Sequence, residues 1–318
     1  MGLYPDHEES TIRSMDTSFF LPGLAKDQAY MLNRDHQSRL NVRAAIERMW
    51  REYQPYCPDS NFQIWAKDDF HAAMWQMQLT TIFLRLGFRL LPTSSEGPDI
   101  CIAQRRKRLW VEAVTPKEGE GADAVSVPFG EPVYITNTPW ILRVLTSVAA
   151  KIEQHENWLS KNIVSDVDGY VVAINAGRIA VADLSPGGVT FCERAVYGIT
   201  DGYNINVDTE VVRPVLLPSP SVEKVSKASI STELFRGPHV PQVSALMWCP
   251  NHIAINYTTN GSDITTVHNQ FARRPLASRV LFFTRQVWFK HDTRIVVGRK
   301  RWRAILWTFL APIVNTLR

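Results

Sequence analysis

Two acidic side chains, Asp99 and Glu112, have the chemistry to hold a divalent metal ion if the fold brings them together. A short apolar run, residues 99–103, follows a Gly-Pro pair, and a second run, residues 108–114, follows a basic turn. Two β-rich runs around a short polar turn predict a β-hairpin. Asp99 begins the first run and Glu112 lies inside the second, so the register of the hairpin decides whether the carboxylates meet.

The position of the turn sets that register. If the turn centres between Arg105 and Arg106, facing residues have numbers that sum to about 211, and Asp99 faces Glu112. Facing residues of antiparallel strands have Cβ atoms about 4.5–5.5 Å apart on one face. Two ionised carboxylates about 4 Å apart repel by about 4 kcal/mol at an effective dielectric constant of roughly 20. A proton, a cationic side chain or a divalent ion would relieve this repulsion, and oxygen ligands suit Mg²⁺ or Mn²⁺.

Helices are predicted on both sides of the hairpin. Apolar residues recur at helical spacing from Met74 to Leu86. Thr138 caps a second helix, whose polar stripe contains Arg143 and Lys151. A β-branched run at residues 170–174 then predicts a buried strand, and these elements together span about residues 62–175. The aromatic residues of the first helical region, Trp65, Trp75 and Phe83, are expected in the core rather than as platforms for nucleobases.

These motifs resemble those of the PD-(D/E)XK nuclease superfamily. The matching residues are Trp75-Gln76 on the helix, Gly97-Pro98-Asp99, and Val111-Glu112-Ala113-Val114. They look most like bacterial members with a W-E…G-P-D…I-E-A pattern. The resemblance implies an α/β, restriction-endonuclease-like fold, with a mixed central sheet between helices, and cleavage of phosphodiester bonds. It also implies that Asp99 and Glu112 bind Mg²⁺ or Mn²⁺, with Gln76 in the helix position that usually holds Glu.

One position departs from the superfamily pattern. A Lys is expected two residues after the Glu, where it positions the attacking water, but Val114 stands there. Lys117, beyond Pro116, is the first candidate replacement, because its long side chain could fold back. Lys151 on the following helix is the second. If neither reaches the site, the alternative is a catalytically silent nuclease-fold protein that binds nucleic acid or a protein partner.

A purely structural role for the acidic residues remains open at this stage. Asp99 could cap local amides in a Gly-Pro-Asp turn, and Glu112 could pair with Arg105 or Arg108 across the hairpin. Against this, Glu112 interrupts an apolar run, where a carboxylate needs a partner. If Asp99 and Glu112 lay on different faces, the resemblance would be chance and the chain an α/β domain with a structural hairpin.

Four arginines are candidate contacts for the phosphates of a substrate: Arg105, Arg106, Arg108 and Arg143. The first three belong to the turn, which lies at the far end of the hairpin, about 15–20 Å from the acidic residues. They could contact phosphates that flank a cleavage point, or they could simply decorate a solvent-exposed turn.

The whole sequence is compatible with such a protein. Its 318 residues carry a net charge of +4, which suits a phosphate-bearing partner without requiring one. DNA is the favoured substrate over RNA, and a homodimer is compatible with cutting two strands. The polar N-terminus, the lack of a membrane-spanning apolar run and four scattered cysteines indicate a cytoplasmic protein without a membrane partner.

Three regions are predicted along the chain. Residues 1–60 form an N-terminal arm and helix, and residues 61–175 form the nuclease-like core. Residues 176–318 form a looser, β-containing extension of the same domain or a second small domain, with strands at 243–248, 253–257, 280–283 and 294–297.

Overall fold

The computed structural model describes residues 18–104, 107–125, 137–179, 188–206, 208, 210–252 and 258–298. Its helices are α1 (Gln28–Asp35), α2 (Leu40–Tyr53), α3 (Phe62–Ala66), α4 (Phe70–Arg85), α5 (Thr138–Ser160) and α6 (Phe191–Tyr197). Its strands are β1 (Leu90–Leu91), β2 (Ile100–Gln104), β3 (Lys107–Val114), β4 (Gly169–Asn175), β5 (Ile199–Asn206), β6 (Val211–Pro218), β7 (Ser221–Glu223), β8 (Ser229–Ser231), β9 (Ala245–Cys249), β10 (Thr265–His268), β11 (Arg285–Lys290) and β12 (Thr293–Val297).

A mixed sheet forms the centre of the molecule. Its strands follow the order β1-β2-β3-β4-β9-β10-β11-β12. Strands β2 and β3 are antiparallel, whereas β4 runs parallel to both of its neighbours, β3 and β9. Two further pairs, β5-β6 and β7-β8, form small separate sheets. The predicted α/β class, with a large mixed sheet between helices, is therefore confirmed.

Helix α4 packs on one face of the sheet and is buried on nearly all sides, because α1 to α3 cover it from outside. Trp75 fixes the helix to the sheet: its indole nitrogen donates a hydrogen bond of 2.8 Å to the carbonyl oxygen of Ala173 in β4. Trp75 and Phe83 lie fully in the core, as predicted. Trp65 does not, since 38% of its surface remains exposed. The five-residue helix α3 buries Phe62 and Ala66 but not Trp65.

Helices α5 and α6 cover the opposite face of the sheet. The apolar stripe of α5, which includes Val144 and Val148, packs against Trp110 and Val172. The helix begins at Thr138 with Pro139 in its first turn, but its N-cap is Asn137 rather than Thr138. Burial of each large apolar side chain contributes about 1.5–3 kcal/mol. Burial of the predicted apolar stripe therefore holds α5 against the sheet. The neighbouring polar stripe of the same helix is positioned along with it.

The hairpin has the predicted register. Ile100 faces Val111 and Cys101 faces Trp110, so facing residue numbers sum to 211. Ile100 and Val111 belong to the core on the α4 side, whereas Cys101 and Trp110 belong to the core on the α5 side. Alternation along β3 therefore turns the side chain of Glu112 toward α5.

The C-terminal part of the described chain continues the central sheet through β9 to β12. Strands β9 and β12 confirm the predictions at residues 243–248 and 294–297. Residues 280–283 form turns instead, and residues 253–257 lie outside the described ranges. No helix in the described ranges is long and apolar enough to cross a bilayer.

Candidate active site

The hairpin places Asp99 and Glu112 side by side, and we call these two residues the acidic pair. The backbone N–H of Asp99 donates to Oε2 of Glu112 at 3.3 Å. The backbone N–H of Ala113 donates to Oδ2 of Asp99 at 2.7 Å. Asp99 thus caps a local amide, as the structural alternative required, yet it also meets the second carboxylate on the same face. The arrangement that would have marked the resemblance as chance is not observed.

Lys151 of α5 forms an ion pair with one member of the acidic pair. Its ammonium nitrogen lies 2.7 Å from Oε1 of Glu112, and the same nitrogen donates to Oε1 of Gln154 at 2.8 Å. The hydroxyl of Tyr170 on β4 donates to the backbone carbonyl of Lys151 at 3.2 Å, which ties this turn of α5 to the sheet. The side chains of Lys151 and Glu112 are only 20% and 6% exposed, so water screens their attraction weakly.

The two carboxyl groups of the acidic pair share a single ammonium, that of Lys151. Burial raises the pKa of the Asp99 carboxyl well above its usual range, and the charge of Glu112 raises it further. Burial also raises the pKa of Glu112, although the Lys151 ammonium opposes that shift. With two carboxylates and one ammonium in contact, the site favours an added proton or an added cation.

Gln76 of α4 and Asp99 of the acidic pair lie on the same pocket. The two side chains line a pocket of about 220 Å³, here called the Trp65 pocket, together with Pro58, Asp59, Phe62, Trp65, Ser94, Ser95 and Gly97. Gln76 itself is 8% exposed. Gln76, which the sequence predicted as a supporting residue, therefore shares a pocket with one member of the acidic pair.

Val114 occupies the place of the missing motif Lys and has a packing role. Its side chain contacts the apolar core on the α5 side, the same side to which Glu112 points. The cation in contact with Glu112 comes instead from α5, as Lys151. The ammonium at the acidic pair therefore comes from helix α5 and not from strand β3, which contains Val114.

Lys117, the other candidate lysine, lies elsewhere. Its ammonium nitrogen is 3.4 Å from Oδ2 of Asp69, and its side chain is 69% exposed. Asp69 also binds Arg178 at 2.9 Å and caps helix α4 through the N–H of Ala72. Of the two lysines proposed for the water, the structure therefore brings Lys151 to the acidic pair and Lys117 to Asp69.

The structure describes two of the four candidate substrate-binding arginines, Arg108 in β3 and Arg143 in α5. Arg108 lies toward the far end of the hairpin, where its guanidinium packs 5.8 Å from the ring centroid of Trp110 and its backbone N–H donates to Asp168. The guanidinium of Arg143 packs against Gly119, close enough to exclude a Cβ atom there. Within the described ranges, no hydrogen bond or ion pair joins Arg108 or Arg143 to the acidic pair. Arg105 and Arg106 lie outside the described residues.

Two residues at the site were not predicted from the sequence. Gln154 follows Lys151 by three residues, a spacing that places both side chains on one helix face, so its contact could have been anticipated. Tyr170 gave no such signal, because its hydrogen bond depends on how α5 lies over β4.

The donor set of the acidic pair fits a hard divalent ion. Mg²⁺ is commonly held by one or two carboxylates, with water and substrate phosphate as its other ligands. In the described part of the chain, no group of three or more His, Cys, Asp or Glu side chains is arranged to hold a metal ion. The two adjacent carboxylates would supply two ligands of such an ion, and water and a phosphate would supply the others.

No family model matches this sequence, and no curated protein or solved structure is significantly similar to it.

Proposed function

We propose that this protein is a metal-dependent nuclease with a restriction-endonuclease-like fold, and that it cleaves phosphodiester bonds in nucleic acid, with DNA as the favoured substrate. One observation carries the proposal: the ammonium of Lys151 contacts Glu112 within a buried acidic pair, where the superfamily pattern requires a cation.

The order of the elements supports the same proposal. Helix α4 precedes β1, β2 and β3, and helix α5 then leads to β4, which pairs with β3 in parallel. This order supports the proposal, because the resemblance implies a helix, a hairpin, a second helix and a further strand within one mixed sheet. Asp99 immediately precedes β2 and Glu112 lies near the end of β3, the positions that the resemblance assigns to the metal-binding residues.

Each residue has a role that follows from its contacts. Asp99 and Glu112 would hold the divalent ion, which when bound polarises a phosphoryl oxygen and lowers the pKa of a water molecule. Gln76 lines the space beside Asp99 and would orient a ligand of that ion. Lys151 would hold a water molecule or a phosphate oxygen beside Glu112, and Gln154 keeps its ammonium in place.

A cleavage assay tests the proposal. Labelled plasmid, linear DNA and RNA are incubated with Mg²⁺ or Mn²⁺ and the wild-type protein, Asp99→Ala or Glu112→Ala. Asp168→Ala is a matched control, because Asp168 accepts hydrogen bonds from Arg108 and Trp110 at the far end of the same hairpin. We expect cleavage by the wild type and the control, and loss of about 100-fold or more in the two site variants.

The assay also distinguishes the alternative function. If the wild type binds nucleic acid but cleaves none of the three substrates with either ion, the protein is a binding module and the nuclease proposal is wrong. Equal cleavage by the wild type and both site variants would place the activity outside the acidic pair.

A further inference from the structure

The Trp65 pocket shares Asp99 with the acidic pair, and its lining indicates what enters it. Trp65 is the only tryptophan in the described ranges with more than a third of its surface exposed. An exposed indole beside a candidate cleavage site offers a flat apolar surface for an aromatic ligand.

The indole of Trp65 rests on a rigid aromatic base. Its ring centroid lies 5.4 Å from that of Phe62, and Phe62 stacks on Trp50 with centroids 5.8 Å apart and an interplanar angle of 9°. Phe62 and Trp50 are buried. Because Phe62 and Trp50 are held in the core, the indole of Trp65 is positioned before any ligand binds.

The charges of the pocket select against a phosphate and favour a neutral ring. Its lining includes two carboxylates, Asp59 and Asp99, and no lysine or arginine. Ser94, Ser95 and Gln76 add uncharged hydrogen-bonding groups. Carboxylates and amides accept hydrogen bonds from the amino groups of nucleobases. At about 220 Å³, the pocket is smaller than those of drug-sized ligands, so it has room for one ring system.

We infer that the Trp65 pocket binds one nucleobase of the cleaved strand, stacked on Trp65, next to the phosphate that lies at the acidic pair. The inference rests on the proposed function and extends it to a substrate class. A base inside a duplex is paired and stacked, so it cannot enter the pocket without leaving the helix. The preferred substrate is therefore single-stranded or locally unpaired nucleic acid.

The test compares two ligands of the same length and charge, one with nucleobases and one without. Fluorescence anisotropy gives the Kd of a labelled single-stranded oligonucleotide and of an abasic oligomer with the same length and charge, both without divalent ion so that no cleavage occurs. The proteins are the wild type, Trp65→Ala and Trp65→Phe. The matched control is Ile64→Ala, since Ile64 precedes Trp65, is more exposed and does not line the pocket.

We expect Trp65→Ala to weaken binding of the oligonucleotide by about 10-fold or more, since stacking of one base on an aromatic side chain has that magnitude. Binding of the abasic oligomer should not change, which also shows that the variant is folded. Trp65→Phe should retain most of the affinity, and Ile64→Ala all of it.

Two other outcomes are informative in different ways. If the wild type cleaves nucleic acid but Trp65→Ala binds both ligands as Ile64→Ala does, the base pocket is wrong and the nuclease proposal stands. If the wild type neither binds nor cleaves nucleic acid, the proposed function fails and the base pocket fails with it.

Discussion

The ammonium nitrogen of Lys151 lies 2.7 Å from Oε1 of Glu112, although 39 residues separate the two in sequence. This ion pair joins helix α5 to strand β3 at the residue that faces Asp99. It brings a cation to the acidic pair, whereas Val114 stands where the nuclease motif that the sequence resembles has a lysine.

Replacement of Lys151 should remove activity. Lys151→Met keeps the length of the side chain but leaves Glu112 without its cation, so we expect cleavage to fall by about 100-fold or more. The free energy of unfolding should also fall by about 1–3 kcal/mol, because the buried Glu112 loses a hydrogen-bond partner. Initial cleavage rates and thermal melting measure the two effects.

Lys117→Met is the control for that experiment. Lys117 contacts Asp69 and is exposed, so its loss should change cleavage by less than about threefold. If instead Lys117→Met abolished cleavage and Lys151→Met did not, the assignment of Lys151 would be wrong.

Asp99→Asn should stabilise the metal-free protein. The amide oxygen of Asn can still accept the hydrogen bond from Ala113, and its NH₂ group can donate to Glu112. The substitution removes a carboxyl group whose ionised form is disfavoured by burial and by the charge of Glu112, so the free energy of unfolding at about pH 8 should rise by about 1 kcal/mol. Urea denaturation measures it. Asp168→Asn, which relieves no such repulsion, should give no gain, and equal effects of the two substitutions would argue against charge repulsion at the acidic pair.

Divalent ions should stabilise the wild type and not the site variants. An ion that binds only the folded protein adds about 2.7 kcal/mol at 100 times its Kd. We therefore expect Mg²⁺ or Mn²⁺ to raise the Tm of the wild type by several degrees. Differential scanning fluorimetry should show no such rise for Glu112→Gln. A rise of the same size in Glu112→Gln would show that the ion binds elsewhere.

Buried histidines should make the fold sensitive to acid. Burial lowers the pKa of His71, His155 and His268 from 6.5 to about 4. Because these pKa values are lower in the folded state, the unfolded chain takes up protons first as the pH falls. Each histidine therefore contributes stability that is present above about pH 6.5 and lost toward about pH 4.

His155 allows this effect to be isolated. Its ring packs on Tyr170 with centroids 4.3 Å apart, and its Nδ1 has no hydrogen-bond partner in the described structure. His155→Phe keeps an aromatic ring there but cannot titrate, so the loss of stability between about pH 7 and pH 4.5 should shrink by about 2 kcal/mol. Urea denaturation at several pH values measures it, and an unchanged pH dependence would contradict the burial argument.

Local patterns were enough to predict the hairpin and the helices beside it. The position of the basic turn fixed the register, and with it the meeting of Asp99 and Glu112. The apolar stripe of α5 predicted that helix, and the i to i+3 spacing would have predicted the contact between Lys151 and Gln154.

Long-range packing decided the remaining features of the site. Whether Lys117 or Lys151 meets Glu112 depends on how α5 lies over the sheet, which no local pattern specifies. Trp65 was expected in the core because aromatic residues usually are buried, but the five-residue helix α3 buries Phe62 and Ala66 and leaves Trp65 38% exposed. The exposure of Trp65 therefore depends on which elements pack against α3, and residue type alone does not predict it.

We propose that the acidic pair performs metal-dependent cleavage. The most direct measurement is the initial rate of DNA cleavage in saturating Mg²⁺ by the wild type and Asp99→Asn, with melting curves recorded on the same samples. We predict that Asp99→Asn is folded and that, without Mg²⁺, its Tm is at least equal to that of the wild type. Its cleavage rate should be lower than that of the wild type by about 100-fold or more. Cleavage by folded Asp99→Asn at the wild-type rate would contradict the claim.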